Sequence, residues 1–226
     1  MTHQPSTAAP QAAQIVPASK PSTDKYIAVA GNIGAGKTTL VEFLKYRFDL
    51  TPFYEPNADN PFLTPFYGDM KRWAFHSQMY FLTHKFRLHQ TLADQPGVVV
   101  QDRTIYEDAE IFAENLYRTR KMTTDEYRTY RTLYEGIIET LRPPDLMIYL
   151  RATVRTVRHR IRKRGRPEEQ DVPLSYIRRL HDLYESWFDR YDRSPTLVIE
   201  VDRLDYIQDL VDRIEIIRTI QAHLDA

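Results

Sequence analysis

Apolar residues along this chain gather in two ways: short unbroken runs, and longer stretches in which they recur every three or four positions. The runs are Tyr26–Ala30 (YIAVA), Thr51–Glu55 (TPFYE), Val98–Asp102 (VVVQD), Leu146–Leu150 (LMIYL) and Thr196–Val201 (TLVIEV). An unbroken run of this length suits a strand buried on both faces, whereas a strand with one wet face alternates. The intervals between runs leave room for crossover helices, so a mostly parallel sheet with helices on both sides is expected, a three-layer α/β domain. Arg142–Asp145 (RPPD) stops a helix before the fourth strand, because two prolines cannot continue it. No internal repeat is visible.

Residues 1–24 break the pattern. They are Pro, Ala, Ser, Thr and Gln with scarcely any charge, a composition that cannot bury enough apolar surface to offset its ordering entropy. A disordered tail is expected there, followed by one domain over residues 25–226. The tail has neither a basic segment leading into an apolar one nor an arginine, so it does not read as an address.

Composition narrows the partners. Lys plus Arg and Asp plus Glu both total 31, so no overall field draws the chain to nucleic acid or to an anionic membrane, and a small-molecule partner is expected. The absence of cysteine removes disulfides and thiolate metal sites and fits a reducing compartment such as the cytoplasm. No apolar run approaches the roughly 20 residues that a membrane-spanning helix needs.

Chemistry enters where the first run ends. Gly31, Gly36, Lys37 and Thr38 match G-x-x-x-x-G-K-[ST] between a predicted strand and a predicted helix, the context a phosphate-binding P-loop requires. The loop Gly31, Asn32, Ile33, Gly34, Ala35, Gly36, Lys37, Thr38 and Thr39 would cradle the phosphates of ATP with its backbone N–H groups. Lys37 would reach the β and γ phosphates, and the Thr38 hydroxyl would ligate Mg²⁺. Such a loop serves kinases, GTPases and motors alike.

The other strand ends favour transfer to a hydroxyl. In an open parallel sheet they face the ligand crevice. Glu55 ends the second run and Asp102 with Arg103 ends the third. Glu55 could accept the hydroxyl proton, Arg103 could neutralise charge beside it, and Asp102 could support the Mg²⁺ shell. The segment Arg158–Gln170 (RHRIRKRGRPEEQ) carries Arg160 and Arg164 one helical turn apart, with Arg166 after Gly165. It reads as an arginine-rich lid that closes over polyphosphate.

Four motifs, GNIGAGKTT, YEPNADNPFLTPFYGDMKRWAFHSQMYFL, QDRTIYEDAEIFAENLY and RGRPEEQ, occur in this order between Tyr26 and about Leu210. Over that span the chain resembles the deoxynucleoside kinase family, in particular its bacterial deoxyadenosine and deoxyguanosine kinase branch. The resemblance implies a P-loop kinase fold with sheet order 2-3-1-4-5. It also implies a homodimer, and phosphorylation of the 5′-hydroxyl of a deoxyribonucleoside. By the same resemblance Glu55 and Arg103 stand at the 5′-hydroxyl. Phe66 is a substrate-binding residue, and Tyr67 and Glu169 hold the 3′-hydroxyl. Gln78 and Asp108 read the base with Lys85 beside them, Phe112 stacks on it, and Arg160, Arg164 and Arg166 are the lid arginines. Lys85 stands where the family often has arginine, and Ser77 where some members have a second stacking phenylalanine.

Spacing supports part of this. Phe75, Gln78, Leu82 and Lys85 recur at three- and four-residue steps, and so share a helix face. Asp108 and Phe112 are one turn apart. An ionised Asp108 only accepts hydrogen bonds, so it favours the exocyclic amino group of adenine or cytosine over the O4 of thymine. An amide such as Gln78 can pair bidentately with adenine, so deoxyadenosine is expected first. Guanine would require Gln78 to turn and Lys85 to meet its O6. Two rivals share the P-loop. A thymidylate-type monophosphate kinase would need positive charge where Tyr54 precedes Glu55, and a non-catalytic subunit of this fold would not need Lys37, Glu55 and Arg103 together.

Overall fold

The computed structural model describes residues 23–54, 60–166, 169, 172–202 and 210–224. Five strands form one sheet in the order 2-3-1-4-5, every pair parallel. They are β1 (Thr23–Gly31), β2 (Thr51–Phe53), β3 (Gly97–Asp102), β4 (Leu146–Arg151) and β5 (Thr196–Glu200). Each predicted run overlaps one of them, but β1 begins at Thr23, inside the expected tail. Thr23 pairs with Gly97 ahead of a register shift, and backbone pairing of this kind needs no apolar side chain. β2 is three residues long, and Glu55 lies outside the described residues.

Alternation along β1 shows why the run had to be apolar throughout. Tyr26, Ala28 and Ala30 face one hydrophobic cluster, and Ile27 and Val29 face the other. All five are at most 1% exposed. The second cluster is closed by α1 (Lys37–Phe48), α7 (Val154–Arg164) and α9 (Leu210–Leu224). The first is closed by α3 (Met70–Ala93), α6 (Thr124–Ile138) and most of the buried face of α8 (Leu174–Phe188). The result is a helix–sheet–helix sandwich with its ligand crevice at the C-terminal ends of the strands.

Between β3 and α6 the chain runs through α4 (Ile105–Glu107), a π-helical stretch (Asp108–Ala113) and α5 (Glu114–Arg118). A short α2 (Leu63–Gly68) precedes α3. Among the described residues no helix is long and apolar enough to cross a membrane.

Candidate active site

A cavity of about 350 Å³ opens over the strand ends and runs from the P-loop to the wall made by α3 and the π-helical stretch. At the P-loop end, Gly31, Gly34 and Gly36 have φ values of 151°, 76° and 107°. A Cβ on Gly31 would stand 2.9 Å from the Leu150 carbonyl oxygen, so the loop can turn this tightly only with glycine there. Helix α1 starts at Gly36 with no side-chain cap and no acidic residue in its first turn, which leaves the positive end of the helix to an anion. Lys37 is 7% exposed. Its ammonium donates to the carbonyls of Gly31 (2.8 Å) and Asn32 (3.2 Å), folded back along the loop it would use to hold phosphate.

The end of β3 supplies the acceptor side. Thr38 Oγ1 donates to Asp102 Oδ2 at 2.5 Å, while the buried Asp102 Oδ1 has no hydrogen-bond partner among the described residues. A hydroxyl and a carboxylate oxygen left over beside a P-loop are the hard oxygen ligands that Mg²⁺ takes when most of its shell is water and phosphate. No group of three or more His, Cys, Asp or Glu gathers at a possible metal site among the described residues. Thr38 and Asp102 fit a metal that would arrive with its nucleotide.

Arg103 follows at φ 63°, with its N–H donating to Val29 O at 3.0 Å. Its guanidinium lies 4.6 Å from the centre of the Phe112 ring, a cation–π contact that aims it along the cavity.

At the far end, Gln78 and Asp108 face the cavity at 4% and 2% exposure. Among the described residues the Gln78 Oε1 has no hydrogen-bond partner, although an unpaired buried acceptor is costly. Lys85 is the surprise. It shares the face of α3 predicted for it, yet it is 0% exposed and does not line the cavity. Its ammonium donates to Asp108 Oδ1 at 2.8 Å and Thr104 O at 3.3 Å. Its neighbour is the carboxylate, from behind.

Phe66, Tyr67, Phe112 and Glu169 line the same cavity, as do Arg164 and Arg166. Glu169 ion-pairs with Arg164, and its Oε1 lies 3.7 Å from Arg166 Nη1. Arg160 is not brought to the cavity. Its Nη1 donates to Ala35 O at 2.6 Å and its Nη2 to Val201 O at 3.0 Å, so it ties the P-loop to the end of β5. The predicted trio of arginines thus divides into one that braces the loop and two that face the cavity.

Four cavity residues were not singled out from the sequence for this role: Tyr54, Leu63, Phe81 and Tyr176. Phe81 could have been found, because it lies one helical turn beyond Gln78. The Tyr54 hydroxyl donates to Glu42, and its pKa is pushed up to about 12, first by burial and then by that carboxylate. Burial also raises the Tyr176 hydroxyl, with Tyr67 adding to the effect. Both phenols remain hydrogen-bond donors near neutrality.

A P-loop, an acid–arginine pair at the next strand end, a cavity walled by aromatic rings and a polar pair at its far end describe a site for a nucleotide and a second small aromatic substrate. Comparison with known proteins agrees. Residues 27–225 match the family model for deoxynucleoside kinases. The deoxyadenosine/deoxycytidine kinase of Bacillus subtilis is 37% identical over 185 residues, covering 81% of this chain and 85% of that enzyme. The deoxyguanosine kinase of Lactobacillus johnsonii is 38% identical over 208 residues, covering 88% and 92%. Among solved structures, deoxyadenosine kinase from M. mycoides with the products dCMP and dCDP superposes with a TM-score of 0.78 at 30% identity. That match covers 87% of this chain and 99% of the other. The chain belongs to the deoxynucleoside kinase family.

Proposed function

We propose that this enzyme transfers the γ-phosphate of Mg-ATP to the 5′-hydroxyl of a deoxyribonucleoside, with deoxyadenosine preferred, as a step of nucleotide salvage. The observation that carries the base preference is the far wall: the Gln78 oxygen has no hydrogen-bond partner among the described residues, and Lys85 holds Asp108 from behind. An ammonium at 2.8 Å favours the charged carboxylate, and a carboxylate can only accept. Both groups then offer acceptors to an exocyclic amino group. Adenine and cytosine present one there, and adenine adds a ring nitrogen for the Gln78 amide to donate to. Two of the relatives are named for deoxyadenosine or deoxycytidine and deoxyguanosine, which is consistent with a purine-accepting pocket.

In this reading the amides at the start of α1 and the Lys37 ammonium hold the donor phosphates. Thr38 and Asp102 hold Mg²⁺, which neutralises charge on the phosphates when bound. Tyr67 and Glu169 take the 3′-hydroxyl, and Arg103 lies beside the 5′-oxygen. Glu55 receives the proton as that oxygen bonds to phosphorus and the bond to the β-phosphate breaks. Arg164 and Arg166 stabilise the charge spread over the γ oxygens. Arg160 contributes through the loop it braces. The functional unit is proposed to be a homodimer in the cytoplasm.

Purified protein supplied with Mg-ATP and each of the four deoxynucleosides tests both levels. Deoxyadenosine is expected to give the highest kcat/KM and thymidine the lowest. Equal or better use of thymidine would overturn the base reading, and no transfer to any nucleoside would overturn the activity.

A further inference from the structure

Glu107 does not line the cavity, yet it is fully buried and lies behind both reacting ends. Its two oxygens have different duties. Oε2 accepts from the Thr104 N–H at 2.8 Å and the Thr104 hydroxyl at 3.3 Å, closing a capping box at the start of α4. Oε1 reaches outside the helix. It accepts from the Gly31 N–H at 3.2 Å and the Tyr184 hydroxyl at 2.8 Å, with Arg103 Nε 3.9 Å away.

These contacts fall on or directly beside two positive-φ backbone positions of the site. Gly31 has φ 151° and Arg103 has φ 63°. A non-glycine residue persists in the left-handed region only where its surroundings over-determine it. Glu107 receives the amide of Gly31 itself and the amide of Thr104, which directly follows Arg103. A capping box needs one oxygen; the second is spent linking the P-loop to the end of β3, and α8 fixes it through Tyr184.

We propose that Glu107 is a positioning residue that locks the first peptide of the P-loop and the Arg103 turn in one register, so that the donor phosphate meets the acceptor-side arginine at a set distance. The proposal rests on the kinase reading above. It assigns Glu107 no contact with substrate.

Two variants test it. In Glu107→Gln one oxygen becomes an NH₂ group. The Thr104 and Tyr184 hydroxyls can rotate to accept from it, but backbone N–H groups cannot, so either Gly31 or Thr104 loses its acceptor whichever way the amide turns. The kcat is expected to fall about ten- to hundredfold, with the nucleoside KM little changed. Tyr184→Phe keeps the carboxylate and the ring and removes the hydroxyl that donates to Oε1 beside the Gly31 N–H. It is expected to lower kcat several-fold in the same direction, and the double variant is expected to be no slower than Glu107→Gln, as for residues acting as one unit. A residue that only caps α4 would lower the unfolding temperature and leave the kcat of the folded enzyme alone. Wild-type kcat in folded Glu107→Gln would therefore overturn the proposal. Should that variant not fold, wild-type kcat in Tyr184→Phe would overturn it instead. Absence of phosphate transfer in the unsubstituted enzyme would sink the kinase reading, whereas an active enzyme with indifferent variants would sink only this role.

Discussion

Replacing Lys85 by methionine isolates the pairing behind the far wall of the cavity. The side chain keeps most of its length and loses its charge, leaving Asp108 at 2% exposure without the ammonium that stood 2.8 Å from it. At that distance, with an effective dielectric constant near 20, the attraction is about 6 kcal/mol. Much of it is offset by the desolvation of two ions, several kcal/mol each, so the pair is worth little against an apolar pair of the same shape. Removing one partner is different: the desolvation of the other stays and its compensation goes, a loss of about 3–5 kcal/mol. For a chain of this size that corresponds to roughly 6–20 °C in Tm. Replacing Asp108 by leucine as well should recover most of the loss. The functional consequence goes further than stability. A buried carboxyl that loses its cation is shifted towards its neutral form, and a neutral carboxyl donates as well as accepts. Lys85→Met should therefore narrow the ratio of kcat/KM for deoxyadenosine over thymidine. Chemical denaturation of the single and double variants, with kinetics on both nucleosides, provides the measurements. A single-variant loss under about 1 kcal/mol with an unchanged ratio would show that Lys85 neither sustains the charge of Asp108 nor bears on the choice of base.

Two other perturbations have worked-out signs. Burial lowers the pKa of His89 from 6.5, so below pH 6.5 the unfolded chain takes up a proton that the folded one resists. Stability should fall with pH there by at most about 1.4 kcal/mol per unit. His89→Leu should flatten that slope between pH 6.5 and 5, and parallel Tm curves for the two proteins would refute it. Gly31→Ala puts a methyl 2.9 Å from the Leu150 carbonyl at φ 151°, so ATP affinity measured by calorimetry should fall more than about tenfold with the P-loop displaced. Wild-type affinity would mean that the strand end yields without cost.

The sheet was legible because its central strands are covered on both faces, and such strands read as nearly continuous apolar runs. Tyr26–Ala30 is the clearest case, with consecutive residues sent into two different cores. β2 was read too long for a related reason: Tyr54 is 37% exposed, and an aromatic residue in an apolar run gives no sign of which way it faces. The π-helical stretch Asp108–Ala113 left no mark in sequence, since DAEIFA suits an α-helix equally well. What singles it out is that Asp108 and Phe112 both reach the cavity from it.

The parts of the site that could be read were those in which backbone geometry and chemistry demand the same residue. Glycine at a positive φ, a lysine one residue after the last glycine and a hydroxyl after that leave few alternatives in the P-loop. Side chains that act on other side chains could not be read, because their partners lie far off in sequence. Lys85 looked like a base contact from its place on α3, but its partner Asp108 is 23 residues away and is approached from inside. Arg160 looked like a lid arginine, but a guanidinium has donors enough to bridge two carbonyls, and Ala35 and Val201 supply them from 125 and 41 residues away. Glu107 drew no notice beside Asp108, since a run of two acids ordinarily means a solvated turn. For Lys85 the spacing gave the right helix face, and only the neighbouring element decided that the end of its side chain met the carboxylate behind the cavity wall and not the cavity itself.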